Sequence, residues 1–294
     1  MIKEILNVAR WQNMLMAFAC MIVVKIFIIN YFYNALGFTS LISTGEFVLF
    51  CVAVLLVMFG SDTMNLYYSE NNCNINKSLI VSSFVVPDAV AVITGYVVGY
   101  SNGFVHLGSI MLLFVFSSYF YAIRYQSRRI YGGIIVSLFC AMLVLLPGLF
   151  ELFSLISKPD LFRIIVPEIK DISVVFLFFA TFIFLLALTD TALKYQQEAQ
   201  EFEQGRKTPI YLLSIILMFT VIFFQYRYYS ASPVKILGLV SALVHLPLVY
   251  FIYELRKAIS EEDYAFLSSL VKILFVSILF AMTTVKYIII GGIG

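Results

Sequence analysis

Charge is what this chain has least of. Asp, Glu, Lys and Arg make up 12% of its 294 residues, where a water-soluble domain carries about 25%. That scarcity excludes a soluble globular enzyme with a single anchor. No basic block stands outside short connecting segments, so a net charge of +2 offers no nucleic-acid surface. Cysteine is sparse too: Cys20, Cys51, Cys73 and Cys140 lie in or beside apolar runs without metal-type spacing. They read as reduced core residues, not as disulfides or a zinc site. A removable signal is likewise not apparent. The first apolar run extends from Trp11 to about Phe32, longer than a signal core and without a small-residue cleavage site, so it is expected to stay as a helix.

What fills the chain instead is hydrocarbon. Hydrophobic residues reach 62% and mean hydropathy is +0.98. About 20 apolar residues in a helix cross about 30 Å of bilayer, and nine such runs stand out. They cover roughly 11–33, 44–66, 79–100, 104–123, 130–152, 171–193, 209–229, 234–253 and 267–291. Backbone in lipid must satisfy its own hydrogen bonds, and the runs lack period-2 alternation, so they predict helices and not a barrel. The expected fold is an all-α polytopic membrane protein, one transmembrane domain over 1–294, with kinks at Pro87, Pro147 and Pro247. With the N-terminus inside, eleven Lys and Arg fall on inner segments and five on outer loops, so the N-terminus is expected in the cytoplasm and the C-terminus outside.

That topology puts two unusually polar segments on the cytoplasmic face. One runs from Gly60 to Ser78, between the second and third spans, and contains Asn65 and Ile75-Asn76-Lys77. The other runs from Lys194 to Pro209 and contains Glu198, Glu201, Glu203 and Gly205-Arg206-Lys207-Thr208. Two shorter patterns accompany them: Arg10-Trp11-Gln12-Asn13 at the start, and Arg128-Arg129-Ile130-Tyr131-Gly132-Gly133 before the fifth span.

In order and spacing these four patterns resemble the UbiA family of membrane-embedded prenyltransferases, over about Ile5 to Lys286. The family's first motif reads roughly Asn-Asp-x-x-Asp-x-x-x-Asp-x-x-Asn-Lys-Pro. Here Asn65, Ile75, Asn76 and Lys77 keep the frame, while Leu66, Ser69 and Cys73 stand at the aspartate positions. Trp11 replaces a usual proline and Gly133 a usual asparagine. In the second motif Lys194, Gln197 and Glu201 fall near the acidic positions, a one-residue gap brings in Glu198, and Asp190 matches the acidic position preceding it.

The resemblance implies a nine-helix bundle around a lipid cavity, in a bacterial inner membrane, binding an isoprenoid diphosphate through magnesium. Magnesium bridges carboxylates to phosphate oxygens, and neither a leucine nor a thiol replaces a hard oxygen ligand. The first metal site is therefore expected to be depleted. Glu198 and Glu201 remain as candidate metal ligands, or as a solvated helix end with ordinary i,i+3 pairs. Candidate substrate-binding residues are Arg10, Asn13, Asn65, Lys77, Arg128, Arg129, Asp190 and Lys194. Arginine forks suit a diphosphate or a phospholipid head, yet the positive-inside bias alone also places cations here. Lys207 belongs to the same rim of cations.

Ionisable groups within spans are functional candidates. Asp88 follows Pro87 and suits a proton acceptor, a partner for Lys25 or His245, or a group bonded to backbone freed by the kink. His245 reads as an interhelical partner. Three functions remain open: a prenyltransferase with a depleted magnesium site, an inactive relative that binds or scaffolds an isoprenoid or phospholipid, and a small-solute transporter.

Overall fold

The computed structural model describes residues 11–68, 77–125, 129–198, 207–229 and 238–285. Among these residues there are nine helices long and apolar enough to cross a membrane, and no strands. They are α1 (Trp11–Ala35), α2 (Thr44–Tyr68), α3 (Lys77–Ser101), α4 (Leu107–Tyr125) and α5 (Arg129–Ile156). Then come α6 (Pro159–Glu198), α7 (Thr208–Arg227), α8 (Gly238–Lys257) and α9 (Glu261–Met282). The chain is an all-α integral membrane protein.

Two helices start earlier than the apolar runs suggest. The segment before residue 171 reads as an outer loop because Arg163, Glu168 and Lys170 are charged, but α6 begins at Pro159 and runs for 40 residues. Proline is tolerated at a helix start, where its missing N–H has no partner to lose, and Asp160 suits the positive end of the helix dipole. Helix α9 begins at Glu261 through a capping box. Ser260 Oγ accepts from Asp263 N–H, and Asp263 Oδ2 accepts from Ser260 N–H at 2.9 Å. It runs to Met282, and residues 286–291 of the stretch expected to continue to 291 lie outside the described residues.

Chain reversals follow glycine. At Gly37 (φ 78°) and Gly103 (φ 73°) the backbone takes the left-handed conformation that side-chain-bearing residues avoid. In both, the next residue's N–H reaches five residues back: Phe38 to Tyr33 O at 2.9 Å, Phe104 to Gly99 O at 2.8 Å.

The helices sort into two compact units, with boundaries inside helices at Val23, just before the π-helical turn Val24–Ile29 of α1, and at Gly133, Pro147 and Pro167. The first unit holds Met1–Ile22, Ser40–Gly132 and Pro147–Val166. Its centre is α2, α3 and α4, where Ala53, Val57 and Ala91 form one buried cluster and Met64, Phe84 and Ala122 another. Small residues let these helices approach, as lipid-embedded helices require. The Tyr96 ring lies on Gly108, where an added Cβ would sit 2.3 Å from Cγ. Pro87 removes the N–H that Ser83 O would accept, and Thr63 Oγ1 of α2 lies 3.5 Å from that oxygen.

The second unit holds Val23–Thr39, Gly133–Leu146 and Pro167–Gly294. Phe178 of α6 stacks on Phe224 of α7 at 3.7 Å between centroids. Helices α7 and α8 each contain a π-helical turn, and a polar chain joins the two turns. Gln225 Nε2 donates to Ser241 Oγ at 3.5 Å, and Gln225 Oε1 lies 2.7 Å from His245 Nε2. His245 Nδ1 sits 3.2 Å from Met218 Sδ. His245 is thus an interhelical partner, as its sequence position suggests.

Candidate functional site

Three of the ten candidate residues, Arg10, Arg128 and Glu201, lie outside the described residues. Lys77, Arg129 and Glu198 fall on the ends of α3, α5 and α6, with side chains that also lie outside them. Asn13, Asn65, Asp190 and Lys194 can be placed.

In the first unit, Asn13 is half-buried in the first turn of α1 and Asn65 half-buried in the last turns of α2. Helix α2 ends at Tyr68, so of the three positions aligned with the family's aspartates only Leu66 lies on a described helix. Asp62 stands one turn before Asn65 on α2. Sequence reading passed over it because the frame starts at Asn65, although i,i+3 spacing puts both on one face.

In the second unit the C-terminal end of α6 carries a defined polar group. Lys194 Nζ donates to Asp190 Oδ2 at 2.5 Å, one turn back along the helix. Ser268 Oγ of α9 donates to Asp190 Oδ1, also at 2.5 Å. Asp190 therefore ties α6 to α9 while neutralising Lys194. The ammonium remains reachable: the Lys194 side chain is 47% exposed and that of Asp190 21%. Ser268 has no local signature and could not be found from the sequence. It is 78 residues from its partner.

Across from this helix end, α5 presents Gly133 to Thr191. A Cβ at Gly133 would lie 3.1 Å from Thr191 Cγ2, so the family's usual asparagine would have to displace that methyl. Ser137 bonds back to Gly133 O at 2.7 Å. The small residue and the β-branched one fit each other.

Lys207 belongs elsewhere. It is 2% exposed, and its ammonium donates to the Ala258 carbonyl at the end of α8. A helix C-terminus leaves carbonyls without partners, and a cation there is doubly favoured. Lys207 is thus a buried cap and not a rim cation. Replacing it by methionine keeps the volume but leaves that carbonyl without its donor, at a cost of about 2 kcal/mol. Thermal unfolding in detergent should show the loss as a lower midpoint; an unchanged midpoint would return Lys207 to the rim.

Magnesium is the group the family implies. Among the described residues no three of His, Cys, Asp and Glu come together as a metal site. At the α6 end both Asp190 oxygens already accept from an ammonium and a hydroxyl, while Glu201 and the Glu198 side chain, the candidate metal ligands, lie outside the described residues.

No protein-family model matches the chain. No curated protein matches it by sequence. A solved structure does match in fold, described under "biosynthesis of Digeranylgeranylglyceryl phosphate synthase in membranes". It superposes with a TM-score of 0.58 at 12% identity, covering 96% of this chain and 99% of that one. The chain shares the fold of that membrane protein structure.

Proposed function

We propose that this protein engages an isoprenoid diphosphate and transfers its prenyl group to an acceptor within the membrane. The carrying observation is the fold: 96% of this chain superposes on the solved structure described for digeranylgeranylglyceryl phosphate synthase, with nine apolar helices among the described residues. On this reading the excess of Lys and Arg on the inner segments puts the N-terminus in the cytoplasm, with both polar segments on that face. In the transfer, the allylic C–O bond breaks and pyrophosphate leaves with the electron pair. The acceptor nucleophile forms the new bond to carbon and gives up its proton. What this chain supplies is positive charge. The Lys194 ammonium, held by Asp190, has two further N–H bonds to offer phosphate oxygens.

A second reading has its own support. The Asp190–Lys194 pair and Leu66 leave little of the anionic cradle that divalent-ion catalysis needs, which favours binding of the isoprenoid or a phospholipid without turnover. One experiment separates the two. Purified protein in detergent is given labelled farnesyl diphosphate, with magnesium or with chelator, and pyrophosphate release is measured alongside the unfolding midpoint. Release supports transfer. A raised midpoint without release supports the binding protein. Neither release nor a raised midpoint overturns both.

A further inference from the structure

The helices α2, α3 and α4 enclose one ionisable side chain for which the proposed function has no use. Asp88 lies eleven residues past the start of α3, roughly 16 Å along the helix axis, and is 6% exposed. Its carboxyl rests on the backbone of α2. A Cβ built on Gly60 would lie 2.2 Å from Oδ1, 2.8 Å from Cγ and 2.9 Å from Oδ2. One turn to either side on α3 stand Phe84 and Ala91, each part of an apolar cluster with α2. Among the described residues Oδ1 accepts no hydrogen bond.

Counter-charge is also distant on the packed elements. Helix α2 contains no Lys, Arg or His; of its two acids Glu46 lies in the first turn, and Asp62 lies two residues past Gly60, about 200° around the helix. On α3 the nearest cation in sequence is Lys77, eleven residues back. On α4, Phe114 and Val115 pack beside Ala91, and Arg124 lies a further two to three turns on. A naked carboxylate against a glycine Cα, in an apolar interface within a bilayer, would be among the costliest groups a protein can hold.

We propose that Asp88 is a proton-binding site in the membrane interior, carried as the carboxylic acid while α2 and α3 are in contact. Gly60 is the matching half of the site, because only a residue without a side chain admits the carboxyl there. Releasing the proton would set a charge against the α2 backbone and favour separation of α2 from α3, the two helices joined through the first polar segment.

A carboxylic acid buried in lipid has a diagnostic reaction. Its O–H adds across a C=N bond of an apolar carbodiimide: oxygen bonds to the central carbon and the proton goes to nitrogen. The acyl group then shifts from oxygen to nitrogen, giving a stable N-acylurea with no leaving group. Membranes containing the full chain are treated with dicyclohexylcarbodiimide and the Asp88 peptide is weighed. The expected result is addition of one intact reagent molecule at Asp88, decreasing as pH rises and lost in Asp88→Asn. The water-soluble analogue should leave Asp88 unmodified. Asp88→Asn, neutral and of the same shape, should unfold at the wild-type temperature. An Asp88 left unlabelled at the lower pH overturns the proposal. So does an asparagine variant that unfolds many degrees early, because a site that holds a neutral acid accepts a neutral group of the same shape.

Discussion

Gly60→Ala is expected to destabilise the protein by about 2 kcal/mol, with Asp88→Ala restoring most of the loss. In a helix interior that change normally goes the other way: alanine is favoured over glycine by about 1 kcal/mol. At Gly60 the new methyl would sit 2.2 Å from Asp88 Oδ1, far inside contact distance. Either the carboxyl turns out of its place or α2 and α3 move apart, and both disturb a close-packed interface. Gly45, on the same helix, supplies the control. A Cβ there meets nothing within 4 Å, so Gly45→Ala should be neutral or slightly stabilising. The measurement is the unfolding midpoint in one detergent for the two glycine variants, Asp88→Ala and the double variant. Opposite signs at 60 and 45, with recovery in the double variant, follow from the geometry. A stabilised Gly60→Ala would mean that the carboxyl does not lie on that glycine.

The same position shows why part of the architecture could be read from sequence and part could not. The nine spans were legible because bilayer thickness sets their length and apolar residues fill them. Gly60 fell inside the expected second span, but as the first residue of the polar stretch Gly60-Ser61-Asp62-Thr63 it gave no sign of being a contact point for Asp88. The acidic run Glu261-Glu262-Asp263 and the prolines at 159 and 167 read as loop, although acids and proline are what a helix start tolerates best.

At the candidate site the split is similar. Asp190 and Lys194 were found because they stand at and just before the positions of the second family motif, which is local in sequence. Ser268 and the Ala258 carbonyl were not, because the contacts that give Asp190 and Lys207 their roles come from distant parts of the chain. Composition could place Lys207 among cations on one face. Only packing reveals that its charge is spent on the end of α8.

Lys194→Ala is expected to weaken diphosphate binding about 30-fold, close to 2 kcal/mol for a charge-assisted hydrogen bond. Two terms act together. The ammonium's own bonds to phosphate disappear, and Asp190, left without its counter-ion at 2.5 Å, repels the incoming anion. Half-exposure of the Lys194 side chain sets the ceiling, because water and salt screen whatever it does. Asp190→Asn tests the other side of the same pair. The amide oxygen can still accept from Ser268, so the tie from α6 to α9 survives, while the negative charge beside Lys194 is gone. If Lys194 meets the phosphate directly, this variant binds the diphosphate as tightly as wild type or several-fold more tightly. Were Asp190 instead a ligand to a bridging divalent ion, the asparagine would lose affinity and magnesium dependence together. Titration of a non-hydrolysable farnesyl diphosphate analogue, in magnesium and in chelator, reads both variants against wild type. Weakening in Asp190→Asn that appears only with magnesium would sink the direct ammonium contact and restore the metal.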